Sequence, residues 1–112
     1  MKDAQLLSHY RERMAELRRL RGMCPEADPG AKDPTAAYAG GLIAELEKEL
    51  GKLEPAIRET LGRVRSPLAR LVLYDYYALA MSDAEVGRRL DRSVRTLARL
   101  KQEGLSQLGL SR

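Results

Sequence analysis

The stretch SDAEVGRRLDRSVRTLARLK, Ser82 to Lys101, gathers the side chains with the most obvious chemical use. From Arg88 to Lys101 there are six basic residues and one acidic, a local charge of +5 against +4 for the whole chain. The middle, Met23 to Ser66, has six basic and eight acidic residues, or −2. Charge divided in this way points to a polyanionic partner. Most of the cations are arginine, whose planar fork matches a phosphate or the O6 and N7 edge of guanine. The competing reading is a solvated basic face on a helical bundle.

Two helices are expected to position these cations. Ser82-Asp83-Ala84-Glu85 is a capping-box pattern. It opens a short helix with Val86 and Leu90 inward, and Asp91-Arg92 makes the turn. Ser93 caps the next helix, where Leu97, Leu100, Leu105 and Leu108 form the inward line. The opposite face carries Val94, Arg95, Ala98, Arg99 and Gln102, with Thr96 and Lys101 on the flanks. A helix that reads DNA needs this division: an apolar face for its own domain and a polar, cationic face near its N-terminus. Gly104 falls inside the helix at a cost of about 1 kcal/mol against Ala, which suggests close packing there.

The remaining elements must carry that pair. Asp3 to Arg21 reads as a first helix with Leu7, Tyr10, Met14, Leu17 and Leu20 on one stripe, and Arg11, Arg13, Arg18 and Arg19 mostly off it. Gly22 to Pro34, with three prolines and two glycines, reads as an exposed loop, Gly22 suiting the position after the helix. Thr35 to Arg65 reads as a second long helix with the apolar line Leu42, Leu46, Leu50, Leu53, Ile57, Leu61 and Val64. Six steps over 22 residues, about 3.67 per step, fit a straight helix rather than a left-handed supercoil. Gly51 and Pro55 predict a kink or break. An antiparallel hairpin would bury both stripes, and so would a coiled-coil dimer. Ser66 and Pro67 open the next helix, with Leu68, Leu71, Val72, Tyr76, Leu79 and Ala80 as its buried face. Tyr74, Tyr76 and Tyr77 are expected to pack in the core and its rim rather than to stack on bases.

Composition bounds the rest. The chain has 112 residues, 44% of them hydrophobic, with no Trp and no Phe, so Leu, Ala, Val, Ile and Tyr must build the core. Leu, Ala, Arg and Glu favour helix, and no run alternates with period two. Cys24 and His9 are the only residues of their kinds, too few for a disulfide or for a cysteine- or histidine-based metal or catalytic cluster. There is no Gly-rich phosphate loop, no nucleophile–base pattern and no metal-ligand spacing, so an enzyme, a cofactor and a metal are not expected. No apolar run approaches a membrane span or a signal peptide, and the expectation is a soluble, cytoplasmic protein with no membrane partner.

The segment MSDAEVGRRLDRSVRTLARLKQEGLSQL resembles the region 4 helix-turn-helix of sigma-70-type factors. The pattern S-x-x-E-(I/V)-(A/G)-x-x-L followed by S-x-x-T-(V/L)-x-x-(I/L)-x-x-x-A-L-x-x-L is met by Ser82, Glu85, Val86, Leu90, Ser93, Thr96, Leu97, Leu100, Leu105 and Leu108. The preceding LVLYDYYALAM resembles a helix that usually reads L-x-L-R-Y-x-x-G-(L/M). In arrangement the whole chain resembles small phage and prophage regulators of late transcription of the ArpU/RinA type. It departs from the pattern at Asp83, Gly87, Asp91 and Gly104.

The resemblance implies an all-α protein: a long, coiled-coil-like N-terminal hairpin over residues 1–65 for oligomerisation or packing, then a helix-turn-helix domain over 66–112. It implies a sequence-specific regulator of transcription that binds double-stranded DNA, with contact to RNA polymerase left open. Because one recognition helix reads only a few base pairs, a homodimer through the N-terminal helices is expected. Arg95 and Arg99 would then reach base edges, with Val94 and Ala98 beside them, Ala98 offering only a methyl to a thymine methyl. Ser93, Thr96, Arg88, Arg89, Arg92 and Lys101 would hold phosphates. Two other functions compete. One is a small terminase-like DNA-packaging component, whose DNA-binding unit is usually N-terminal. The other is a sigma-like adaptor that contacts RNA polymerase without reading DNA.

Overall fold

The helix signals become five α-helices in the computed structural model, which describes residues 2–110, with no strand among them. The first, α1, is Asp3–Met23, and α2 is Pro34–Gly62. Asp33 starts α2 by accepting from the Ala36 amide at 2.9 Å, and Pro34 takes the first position, where a missing N–H costs nothing. The two helices run antiparallel. Thr60 and Arg63 meet Asp3 at one end, Arg21 meets Glu47 towards the other, and His9 and Arg13 both reach Glu49 between them. Leu6, Leu7, Tyr10 and Leu17 are buried together with Leu46, Leu50, Ile57 and Leu61. Most of both apolar stripes is therefore buried within one chain, with Met14, Leu20, Leu42 and Leu53 half-buried.

Three local expectations are corrected here. Of the kink or break expected between Gly51 and Pro55, the break does not occur: α2 runs through both residues and stops at Gly62, short of Arg65. Pro55 and Gly51 are both exposed, so the carbonyl that loses its partner meets water instead of the core. Gly22 lies inside the last turn of α1, and Cys24 ends the helix with its amide on the Leu20 carbonyl. The segment after it is a mostly exposed loop, as expected, and it is tied to α2. Asp28 N–H donates to the Ala36 carbonyl at 3.1 Å, and Cys24, Ala36 and Ala39 form a small buried cluster. The loop backbone crosses α2 at Gly40, where any Cβ would overlap Asp28 and Pro29.

Ser66 and Pro67 begin α3, Pro67–Leu73, as their types predict. Its continuation, Tyr74–Ala78, widens into a π-helical turn in which Leu79 N–H donates to the Tyr74 carbonyl five residues back. The buried face is Ala69, Val72, Leu73, Asp75, Ala78 and Ala80. Leu71, expected inside, is 42% exposed, and Tyr76 and Leu79 are half-buried. The apolar run is rich enough to offer two faces, and packing selects the one that places Ala69 and Leu73 inward. Then α4, Asp83–Leu90, and α5, Val94–Gln107, follow, joined by Asp91–Ser93.

Two apolar clusters hold α3–α5. Val72, Val86, Leu97 and Leu100 form the smaller, with Leu68, Met81 and Leu90 against it. The larger runs on from α1 and α2 into Ala69, Leu73 and Ala78, with Leu105, Leu108 and Leu110 packed on it. The described parts of the two expected units, residues 2–65 and 66–110, thus share a core across the expected boundary. Polar bonds reinforce it. Arg11 donates to the carbonyls of Tyr76 and Met81, and Arg18 to those of Leu79 and Ala80 as well as to Glu85. They brace the bend before α4, where Ala80 is held at φ 54°, a conformation that costs a residue with a Cβ about 1–2 kcal/mol.

Candidate nucleic-acid interface

The α4–turn–α5 unit is built by local chemistry visible in its sequence. Ser82 Oγ accepts from the Glu85 amide at 3.1 Å, and Glu85 accepts from the Ser82 amide at 2.9 Å. Arg18 and the Ser82 amide hold the Glu85 carboxyl down at about 2, so this cap is charged at neutral pH. Asp91 closes α4 in the left-handed conformation at φ 52°. Gly87 is required where it stands, because a Cβ there would come within 2.9 Å of the Arg92 carbonyl that the tight turn brings over it. Ser93 Oγ accepts from the Thr96 amide at 3.2 Å and starts α5. Gly104 has the packing reason its position suggested: a Cβ would lie 2.6 Å from Leu73 Cδ1.

With Leu97, Leu100 and Gly104 buried, the other side of α5 is presented to solvent. Val94, Arg95, Ala98, Arg99 and Gln102 are all exposed, Val94 by 58%. Arg95 and Arg99 have no hydrogen-bond or ion-pair partner among the described residues, and neither has Arg88. The first turn of α5 contains no acidic residue, so the positive pole of the helix adds to these cations instead of being neutralised. An open groove lined by Ala84, Gly87, Arg88, Asp91, Arg92, Ser93 and Val94 runs between α4 and the start of α5. Arg92 folds back, donating to the Leu90 and Asp91 carbonyls. The arrangement offers forked donors at its centre and further cations at its edge, a geometry suited to a polyanion.

Not every expected phosphate ligand is placed alike. Ser93 is exposed but caps α5, and half-buried Thr96 is tied to it, Ser93 Oγ lying 3.0 Å from Thr96 Oγ1. Lys101 is turned into the fold: its Nζ is 3.1 Å from Asp83 and lies 3.7 Å above the Tyr76 ring. The Arg11 guanidinium lies at the same distance from that ring. Lys101 therefore joins α5 to α4 and to the π-helical turn rather than standing free on the face. The Arg89 side chain is exposed, yet its Nε lies 3.5 Å from Asp75, a carboxylate with no exposed surface.

Sequence reasoning missed Asp75, Arg11 and Arg18. Asp75 is the one acid within the apolar run LVLYDYYALA, which marks it as unusual. Arg11 and Arg18 are seven apart, two turns on one side of α1, and that spacing was the available signal. Tyr76 and Tyr77 pack edge to face with ring centres 4.9 Å apart, as rim and core residues. No helix among the described residues is long and apolar enough to cross a membrane. No protein-family model, curated protein or solved structure matches this chain.

Proposed function

We propose that this protein is a sequence-specific, double-stranded DNA-binding regulator of transcription. In this reading α3–α5 form a helix-turn-helix domain like region 4 of sigma-70 factors, α1 and α2 form the arm, and the chain is of the ArpU/RinA type. The observation that carries the reading is the outer face of α5. Arg95 and Arg99 stand exposed and unpaired among the described residues, at the N-terminal half of a helix whose opposite face, Leu97 and Leu100, is anchored in the core. Arg95 and Arg99 would fork onto guanine edges, Val94 and Ala98 would meet apolar base edges, and Arg88, Arg89, Arg92, Ser93 and Thr96 would set register on phosphates. Two copies on the DNA belong to the proposal, because one recognition helix spans only a half-site. With most of the α1 and α2 stripes packed within the chain, the second copy would pair through other surface. A polymerase-contacting adaptor is the second reading, supported by the exposed side chains of Leu71 and Tyr74 on a groove with Leu61 and Pro67.

The test is selection of bound fragments from genomic DNA, followed by titration of the selected duplex over a range of salt. A recovered consensus, with affinity falling steeply as salt rises, is the expected result. Failure to bind duplex DNA at any salt would refute the regulator reading and leave the adaptor. Multi-subunit rings in light scattering would favour a packaging component.

A further inference from the structure

Asp75 is a buried charge with no use in the interface described above. It has no exposed surface, neither carboxylate oxygen has a hydrogen-bond partner among the described residues, and it sits in the π-helical turn, a distortion that recurs at functional positions. An unpaired carboxylate in such a place is costly unless a cation faces it or a proton neutralises it. Among the described residues one cation is in range. Arg89, from α4, brings Nε to 3.5 Å of Asp75 Oδ2, while its side chain remains 56% exposed. Of the other charged groups on the surrounding elements, Arg88, Arg95 and Arg99 are exposed to solvent, and several more are engaged elsewhere. Arg11 and Arg18 of α1 bond the carbonyls of residues 76 and 79–81, and Arg18 also bonds Glu85. Arg70 of α3 is bonded to the Val64 carbonyl, and Lys101 of α5 lies against Asp83 and Tyr76.

We propose that Asp75 is a proton-linked counter-ion for Arg89, so that the protein takes up one proton at Asp75 when Arg89 moves onto a DNA phosphate. The proposal rests on the DNA-binding reading and adds a regulation to it. The proton comes from solvent and goes to the Asp75 carboxylate. Burial already pushes the Asp75 carboxyl up, and Arg89 alone opposes it by favouring the charged form. A phosphate that takes Arg89 removes that opposition and adds a negative charge nearby. Both effects raise the carboxyl further in the complex. A group that binds protons more tightly in the complex makes affinity rise as pH falls, between its midpoint in the complex and its lower midpoint in the free protein. One proton sets the limit at about tenfold in affinity per pH unit.

The experiment uses the full chain and a short duplex of arbitrary sequence at fixed low salt, because a phosphate contact needs no particular bases. Affinity is measured across mildly acidic to neutral pH for the wild type, Asp75→Asn and Arg89→Gln, with circular dichroism on each. The Asp75 carboxyl carbon is titrated by NMR with and without DNA. We expect wild-type affinity to rise towards acid, Asp75→Asn to lose that dependence and bind more tightly at neutral pH, and Arg89→Gln to bind more weakly with the dependence also lost. The Asp75 midpoint should rise on adding DNA, and in the DNA-free protein it should rise in Arg89→Gln. An Asp75 midpoint unmoved by DNA, or an Asp75→Asn variant with the wild-type pH slope, would overturn the proposal while DNA binding itself stood. No duplex binding at any pH would overturn both. If Asp75→Asn does not fold, the two NMR comparisons still decide.

Discussion

Replacing glycine by alanine should change stability in opposite directions at different positions of this chain, with the sign set by what the new Cβ meets. Gly51 lies exposed in the middle of α2 with nothing within 4 Å, so Gly51→Ala gains the helix propensity of alanine, about 1 kcal/mol. Gly104→Ala gains the same about 1 kcal/mol but drives a methyl to 2.6 Å from Leu73 Cδ1, with Leu73 itself fully buried. Overpacking of that kind typically costs about 1–3 kcal/mol, so the net change is a modest loss. At Gly40 the obstacle is the backbone of Asp28 and Pro29, which no rotamer change can clear. Gly40→Ala must lift the loop from α2, breaking the bond from Asp28 N–H to the Ala36 carbonyl, and should lose the most. Thermal melts followed by circular dichroism read these changes at about 4 °C per kcal/mol for a chain of this size. Gly51→Ala should melt about 4 °C above wild type, Gly104→Ala below it, and Gly40→Ala lowest of all. A Gly40→Ala protein as stable as Gly51→Ala would refute the argument that the loop is packed on α2.

Three further outcomes are expected. Leu97→Ala removes a fully buried side chain from the smaller core, should cost about 2–5 kcal/mol by denaturant titration, and should lose DNA binding through loss of fold. Glu85→Gln should be less stable than wild type at neutral pH. Because Arg18 holds the Glu85 carboxyl low at about 2, its contribution is present above the ordinary glutamate range and lost as pH falls, so the difference should vanish in acid melts near pH 2. A fragment of residues 65–112 should show weak, salt-dependent DNA binding and less helix than the same residues have in the whole chain, because Ala69, Leu73, Ala78 and Leu105 lose the cover of α1 and α2. Full helicity in the isolated fragment would contradict the shared core.

The local elements were legible in the sequence because their signals are short-range. Ser66-Pro67, Ser82 with Glu85, and Ser93 all start helices where their types predict, while Asp33-Pro34, within the segment read as loop, starts α2 one residue earlier than expected. The exposed set on α5 follows from the 3.6-residue period once Leu97 and Leu100 are inward. What could not be read depended on contacts distant in sequence. Leu71 and Leu73 are equally apolar, and only packing against α5 and the arm decides that Leu73 is the buried one. Lys101 has the spacing of a flank residue, yet Asp83 and Tyr76 capture it. Pro55 carries a strong helix-breaking signal, which the solvent position of Gly51 and Pro55 makes tolerable. The bonds from Arg11 and Arg18 to the bend before α4 span more than sixty residues, beyond the reach of any local pattern.

The central claim is that the outer face of α5 reads DNA, and the most direct measurement is a titration of the selected duplex with Arg95→Ala, Arg99→Ala and Arg88→Ala at several salt concentrations. Arg95→Ala and Arg99→Ala should each remain folded, because neither side chain is buried, and should lose about 1–3 kcal/mol on the preferred site with relaxed preference at one or two positions. Arg88→Ala should weaken all sequences alike and reduce the salt slope by about one unit. If Arg95→Ala and Arg99→Ala stay folded and bind with unchanged affinity and preference, α5 is not the reader and the account fails.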